Sequence, residues 1–206
     1  LIVLKIVMMN TKKRKFITFT DSYHGKTLGA LSVTSAENYN DNFLTGLPKE
    51  NILQAEFNSI DSVKKIIHEN SDIAAIILEP IQGQKINVGQ KSFINDVVEI
   101  CKDHDIITIF DEIKVGMGRT GYLFSFMEYN LEPDILTISK SLGGGSRAIG
   151  AMVTSDKLFQ KAYGSKSTAT LHTTTFGGLG TTCEVAIESL KIISDEQFLE
   201  DVKDKG

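Results

Sequence analysis

Short apolar runs recur along the chain, and the stretches between them space their apolar residues every third or fourth position. Residues 16–20 (FITFT) read as a strand and residues 52–55 as a weaker one. Residues 73–78 are continuously apolar, and residues 106–110 and 135–139 have nearly the same form. Such runs mark strands buried on both faces. Residues 149–153 predict a shorter strand. Ile60, Val63, Ile66 and Ile67 lie at helical spacing and predict a helix over 59–70, capped by Ser59 or Asp61. Phe93, Val97, Ile100 and Cys101 do the same for 92–104. Residues 155–163 predict a short helix and 181–193 a longer amphipathic one. Residues 1–11 read as an internal helix with its apolar face on a sheet, and 38–50 as a loop.

Strands alternating with helices predict an α/β fold: a mostly parallel sheet with helices on both faces. No repeat or linker divides the 206 residues, so a single domain is expected. In such sheets ligands bind beyond the carboxyl ends of the strands. Glu79, Asp111 and Lys140 each fall just past a predicted strand end and are expected to share one crevice. Lys140 is followed by Ser141-Leu142-Gly143-Gly144-Gly145. A lysine and a carboxylate placed this way suit an aldehyde cofactor with a basic ring nitrogen. The amine attaches the aldehyde, and the carboxylate keeps the ring protonated.

Composition narrows the alternatives. Hydrophobic residues make up 41% and charged residues 23%, an ordinary globular balance. The net charge of -4 gives no basic face for nucleic acid. The one basic cluster, Lys12-Lys13-Arg14-Lys15, reads as a solvated turn. Cys101 and Cys183 are far apart and not at metal-ligand spacing, so neither a disulfide framework nor a metal site is indicated. Unpaired thiols fit a reducing, cytoplasmic setting. No apolar run approaches the length of a membrane span.

Residues 110–121 (FDEIKVGMGRTG) resemble the signature of class III aminotransferases, pyridoxal-phosphate enzymes of fold type I. Four further stretches match in order: 23–29 (YHGKTLG), 79–83 (EPIQG), 133–145 and 172–178. Five ordered motifs are far more specific than one glycine-rich match. The resemblance implies that the chain belongs to the large, cofactor-binding domain of that architecture. It implies that Lys140 holds pyridoxal 5'-phosphate as a Schiff base and moves the substrate proton, with Asp111 facing the ring nitrogen. Tyr23 would stack on the ring, with His24 beside it in support, and Ile113 would pack on the opposite face. Thr175 would reach the cofactor phosphate of a neighbouring subunit, which implies a homodimer with shared sites. Glu79 would lie on the substrate side, and Arg119 would fix the loop after Asp111 through backbone carbonyls or a carboxylate. His172 is expected to be structural. The substrates implied are a donor amino acid and a carbonyl acceptor.

Three positions depart from the resembling pattern. Lys114 stands where a glutamine usually donates to the cofactor's ring oxygen. Gln84-Lys85-Ile86 follows Gln82-Gly83 in place of an acidic residue and glycine, and Leu179-Gly180 replaces Asn-Pro. Members of the resembling family are about twice this length, so the chain is expected to be a partial one, without the phosphate loop and the small domain. Racemase, decarboxylase and aminomutase reactions share the same motifs, and a truncated non-catalytic module is a further alternative. A nucleotide-binding Rossmann domain lacks its Gly-x-Gly-x-x-Gly turn.

Overall fold

A computed structural model describes residues 2–36, 39 and 43–206. Strands β1 (Lys15–Phe19), β2 (Ile52–Ala55), β3 (Ile73–Leu78), β4 (Ile107–Asp111), β5 (Ile135–Ile138) and β6 (Ala151–Thr154) form one sheet in the order β2-β1-β3-β4-β5-β6. The first five run parallel, and β6 pairs antiparallel with β5. Every residue of β3 and β4 is buried, in keeping with the continuous apolar run of β3 and the nearly continuous one of β4. By contrast β6 alternates between exposed and half-buried residues at one edge of the sheet.

Alternation along the strands sends side chains to two cores. Ile17, Phe19, Ile76, Leu78, Phe110, Leu136 and Ile138 pack on one face. That face is covered by α3 (Ile60–Glu69), α4 (Lys91–Asp103) and α6 (Gly180–Ile193), through Val63, Ile67, Phe93, Val97, Cys101 and Ala186. Phe16, Ala75, Ile77, Ile107, Ile109 and Ile135 form the other face. Helix α1 (Ile2–Thr11), α2 (Leu28–Val33) and α5 (Asp156–Tyr163) cover it. The expected α/β architecture, helices on both faces of a mostly parallel sheet, is therefore present. Cys101 lies within the first core, where burial pushes its thiol up to about 12. Ser59 caps α3 and Ser155 caps α5, each side chain accepting from the backbone three residues on.

The differences from expectation lie at element ends. Thr20 falls outside β1 because the chain turns at Asp21, whose φ is +62°. Ile106 belongs to a turn, its N–H donating to the Cys101 carbonyl at the end of α4. The Ile149 carbonyl accepts from Ser139 Oγ, and the last strand begins only at Ala151. Two helices were not anticipated. Helix α2 has six residues, too few to display a helical period. Helix α7 (Glu196–Lys205) is strongly charged and offers little apolar periodicity, but Asp195 caps it. Residues 1, 38 and 40–42 of the expected first helix and loop lie outside the described residues. Residues 43–48 are irregular, and a 3-10 turn spans Lys49–Asn51. The basic cluster is only partly a solvated turn: Lys15 opens β1, with Nζ 2.6 Å from Asn70 Oδ1.

Burial depth sets the expected cost of truncation. Phe110→Ala, at a fully buried position of a central strand, should destabilise the fold by about 3–5 kcal/mol. Val153→Ala, on the half-exposed edge, should stay within about 0.5 kcal/mol. Urea unfolding of the two variants measures the difference; equal effects would contradict the assignment of centre and edge.

Candidate active site

The parallel strands all end on one side of the sheet, and the loops leaving them enclose a cleft. Its volume is about 330 Å³, and its walls include Tyr23, His24, Glu79, Asp111, Ile113, Lys114 and Lys140. That is within the range of small-molecule sites. It opens near the point where the strand order reverses, between β1 and β3.

Asp111 is the last residue of β4 rather than the first beyond it. One carboxylate oxygen accepts from the Ile113 N–H at 3.1 Å, and the other lies 2.8 Å from His24 Nδ1. Both side chains are nearly inaccessible, at 9% and 5% exposure. Burial opposes a charge on His24. The hydrogen bond and negative charge of Asp111, aided by Glu79, outweigh that penalty and raise the imidazole pKa above its ordinary 6.5.

Glu79 follows β3 directly and is buried. Its two oxygens accept from the Tyr23 and Gly83 N–H groups, each at 2.9 Å. Burial raises its pKa, against the opposing pull of His24 and those two donors. The Gly83 carbonyl in turn accepts from Lys114 Nζ. The cation at the unusual position is thus tied to the neighbouring turn inside the same cleft. A Cβ at Gly83 would stand 3.0 Å from both Glu79 Oε1 and Lys114 Cδ, so the turn packs tightly against both side chains.

Lys140 opens a 3-10 turn, Lys140–Gly143, two residues beyond β5. Its φ of +47° lies in the left-handed region, which a lysine rarely adopts. The surrounding contacts hold it there. Ser139 Oγ donates to the Ile149 carbonyl at 2.7 Å, and the Leu142 N–H donates to the Ser139 carbonyl. Helix α6 presses on the turn where Gly144, with φ +56°, would place a Cβ only 2.5 Å from Ser189 Oγ. A left-handed backbone at a lysine that lines a cleft marks a candidate functional position.

The other anticipated residues are distributed differently. The Tyr23 ring lies 5.1 Å from that of Tyr39. Ile113 is half-buried at the cleft wall. Thr175 is exposed and does not line the cleft. His172 lines a separate groove beside β6. Among the described residues Arg119 reaches neither a backbone carbonyl nor a carboxylate: its guanidinium donates to Ser141 Oγ at 3.1 Å, beside Lys140. Sequence reasoning overlooked Glu112. It is fully buried on the opposite face from Asp111, accepting from Ser125 N–H and Oγ and from the Phe126 N–H. A second carboxylate directly after a buried strand was the available signal.

With this geometry established, comparison with known proteins defines the class. The family model for class-III aminotransferases matches residues 3–206. The chain belongs to that family. It is 40% identical over 198 residues to an acetylornithine/succinyldiaminopimelate aminotransferase of Buchnera aphidicola, covering 96% of this chain and 46% of that protein. Against ornithine aminotransferase 1 of Staphylococcus saprophyticus it is 37% identical, covering 93% and 47%. The crystal structure of ornithine aminotransferase from Toxoplasma gondii superposes with a TM-score of 0.85 at 27% identity, over 96% of this chain and 46% of that one. The chain thus spans about half the length of the curated relatives it matches. Class-III aminotransferases use pyridoxal 5'-phosphate (PLP), and another structure of the Toxoplasma enzyme is described with partial PLP occupancy at its active site.

The raised pKa values of His24 and Glu79 give stability a definite pH dependence. A raised folded pKa contributes stability that is complete below the unfolded value and is lost as pH rises through the folded one. For His24 the loss begins above 6.5; for Glu79 it begins above 4.5. His24→Gln should therefore flatten the decline above 6.5 and leave the one starting at 4.5 in place. Urea midpoints across this pH range test it; an unchanged slope above 6.5 would show that the His24–Asp111 pair does not carry the effect.

Proposed function

We propose that this chain is the PLP-binding large-domain portion of a longer aminotransferase, moving an amino group from a donor amino acid to a carbonyl acceptor. The observation that carries this reading is the convergence of Lys140, Asp111, His24, Tyr23 and Ile113 on one cleft. Their chemistry fits the cofactor: an exposed amine, a buried carboxylate, an aromatic ring and an aliphatic side chain. When bound, PLP supplies an aldehyde that takes up an amine and a protonated ring that draws off electrons.

In this reading each residue has a distinct task. Lys140 is the amine that attaches the cofactor and, once released, carries the proton at the substrate carbon. Asp111 presents negative charge toward the ring nitrogen, with His24 and the Ile113 N–H holding its orientation. Tyr23 and Ile113, which both line the cleft, would pack against the ring. Glu79 organises the substrate side by fixing the Tyr23 and Gly83 backbones. Lys114, bound to the Gly83 carbonyl, adds positive charge to the same wall. A donor of the ornithine or acetylornithine type is supported by the names of the relatives.

Thr175 acts in this reading across a homodimer, toward the phosphate held by the partner subunit. Its exposure, and that of neighbouring Leu171, Phe176 and Leu179, supports a covered face there. A cytoplasmic setting is supported by the two free cysteines. Among the described residues no helix is long and apolar enough to cross a membrane.

Incubating the full-length protein with PLP, followed by borohydride reduction and peptide mass spectrometry, should find the cofactor fixed on Lys140. Label spread over other lysines, or confined to Lys114, would overturn the assignment. Lys140→Ala should lower amino transfer by at least the roughly 10²–10⁴-fold that a positioned proton carrier contributes, with the fold intact by circular dichroism.

A further inference from the structure

A second, smaller cavity of about 50 Å³ shares His24, Asp111 and Ile113 with the cleft. Val3, Leu4 and Val33 make much of its wall apolar, and Thr137 adds a third polar side chain. Asp111 and Thr137 are register partners on β4 and β5, so both side chains leave the same face of the sheet. His24 uses Nδ1 for Asp111. Its other ring nitrogen, Nε2, is buried and has no hydrogen-bond partner among the described residues. The same is true of Thr137 Oγ1. These two orphaned atoms belong to side chains that line one cavity, and neither reaches the other directly.

Buried polar atoms in folded proteins are almost always paired, and ordered water supplies the partner where protein does not. One water needs about 10–15 Å³, so a water fits this cavity with room to spare. We propose that the cavity is a water site: one ordered water bridges His24 Nε2 and Thr137 Oγ1, making Thr137 a positioning residue for the His24–Asp111 pair. The water accepts from Nε2–H and from the threonine hydroxyl. Asp111, which also lines the cavity, is the acceptor available to its hydrogens. The raised pKa of His24 agrees with a ring that donates from both nitrogens. This bridge fixes the rotation of the imidazole, and through Nδ1 the orientation of the carboxylate.

The inference deepens the role proposed for Asp111, but neither of its tests requires PLP. Failure of cofactor labelling and failure of this proposal are therefore separate results. A crystal structure of the full chain should show a water about 2.7–3.2 Å from both atoms; a dry cavity, or Nε2 bonded directly to protein, overturns the proposal. In solution, ¹⁵N-histidine spectra report Nε2, with the His24 signal among the four histidines identified by its loss in His24→Gln. Thr137→Ser should preserve that signal. Thr137→Val, similar in shape but without the hydroxyl, should shift it and speed exchange of its proton. A valine variant identical to the native chain at Nε2 would rule the bridge out. If the valine variant does not fold, the crystallographic result and the serine variant still decide the question: a shifted signal in the serine variant counts against the bridge.

Discussion

The parallel pairing of β3, β4 and β5 is the constraint on which the site depends. Ile77 lies opposite Ile109, Ile109 opposite Ile135, and Asp111 opposite Thr137. That register ends the strands together, so groups distant in sequence meet beyond a shared edge. It also decides facing. Glu79, Asp111 and Thr137 continue the side-chain row of Ile77, Ile109 and Ile135, above α1 and α2. A slip of one residue would turn every one of them into the opposite core.

The adjacent carboxylates Asp111 and Glu112 show what this facing does. They differ by one position and take unrelated tasks. Asp111 borders the cleft and meets a histidine. Glu112 points to the other layer and gathers three donors from residues 125 and 126, anchoring the loop that returns from the cleft. Burial raises the Glu112 pKa, while those donors work against the shift. A buried carboxylate with several donors is a structural clamp. The same residue type one position earlier borders a cavity and is available for chemistry.

Much of this was legible beforehand because the central strands are mostly apolar runs. Residues 52–55 and 73–78 match the strands exactly, and the mostly parallel α/β sheet follows from the alternation of elements. Lys140, Asp111 and Glu79, expected to share a crevice from their places at strand ends, line one cleft together with Tyr23, His24, Ile113 and Lys114. Elements with little apolar periodicity were harder to read. The short helix α2 and the charged helix α7 are recognised by packing and capping. Thr175 lies away from the cleft, in an exposed stretch.

The sequence by itself determined the class of fold, the order of its strands and longer apolar helices, and the family. These are local or collinear properties: periodicity, turn residues and motif order. The tertiary structure decided the pairing of His24 with Asp111, the latch from Lys114 through Gly83 to Glu79, the strained backbone at Lys140 and the shared cavity of His24 and Thr137. The His24–Asp111 pair, the Lys114–Gly83 contact and the His24–Thr137 cavity each join groups separated by tens of residues. Which of them come within hydrogen-bonding distance depends on strand register and helix packing, and no local pattern encodes that distance.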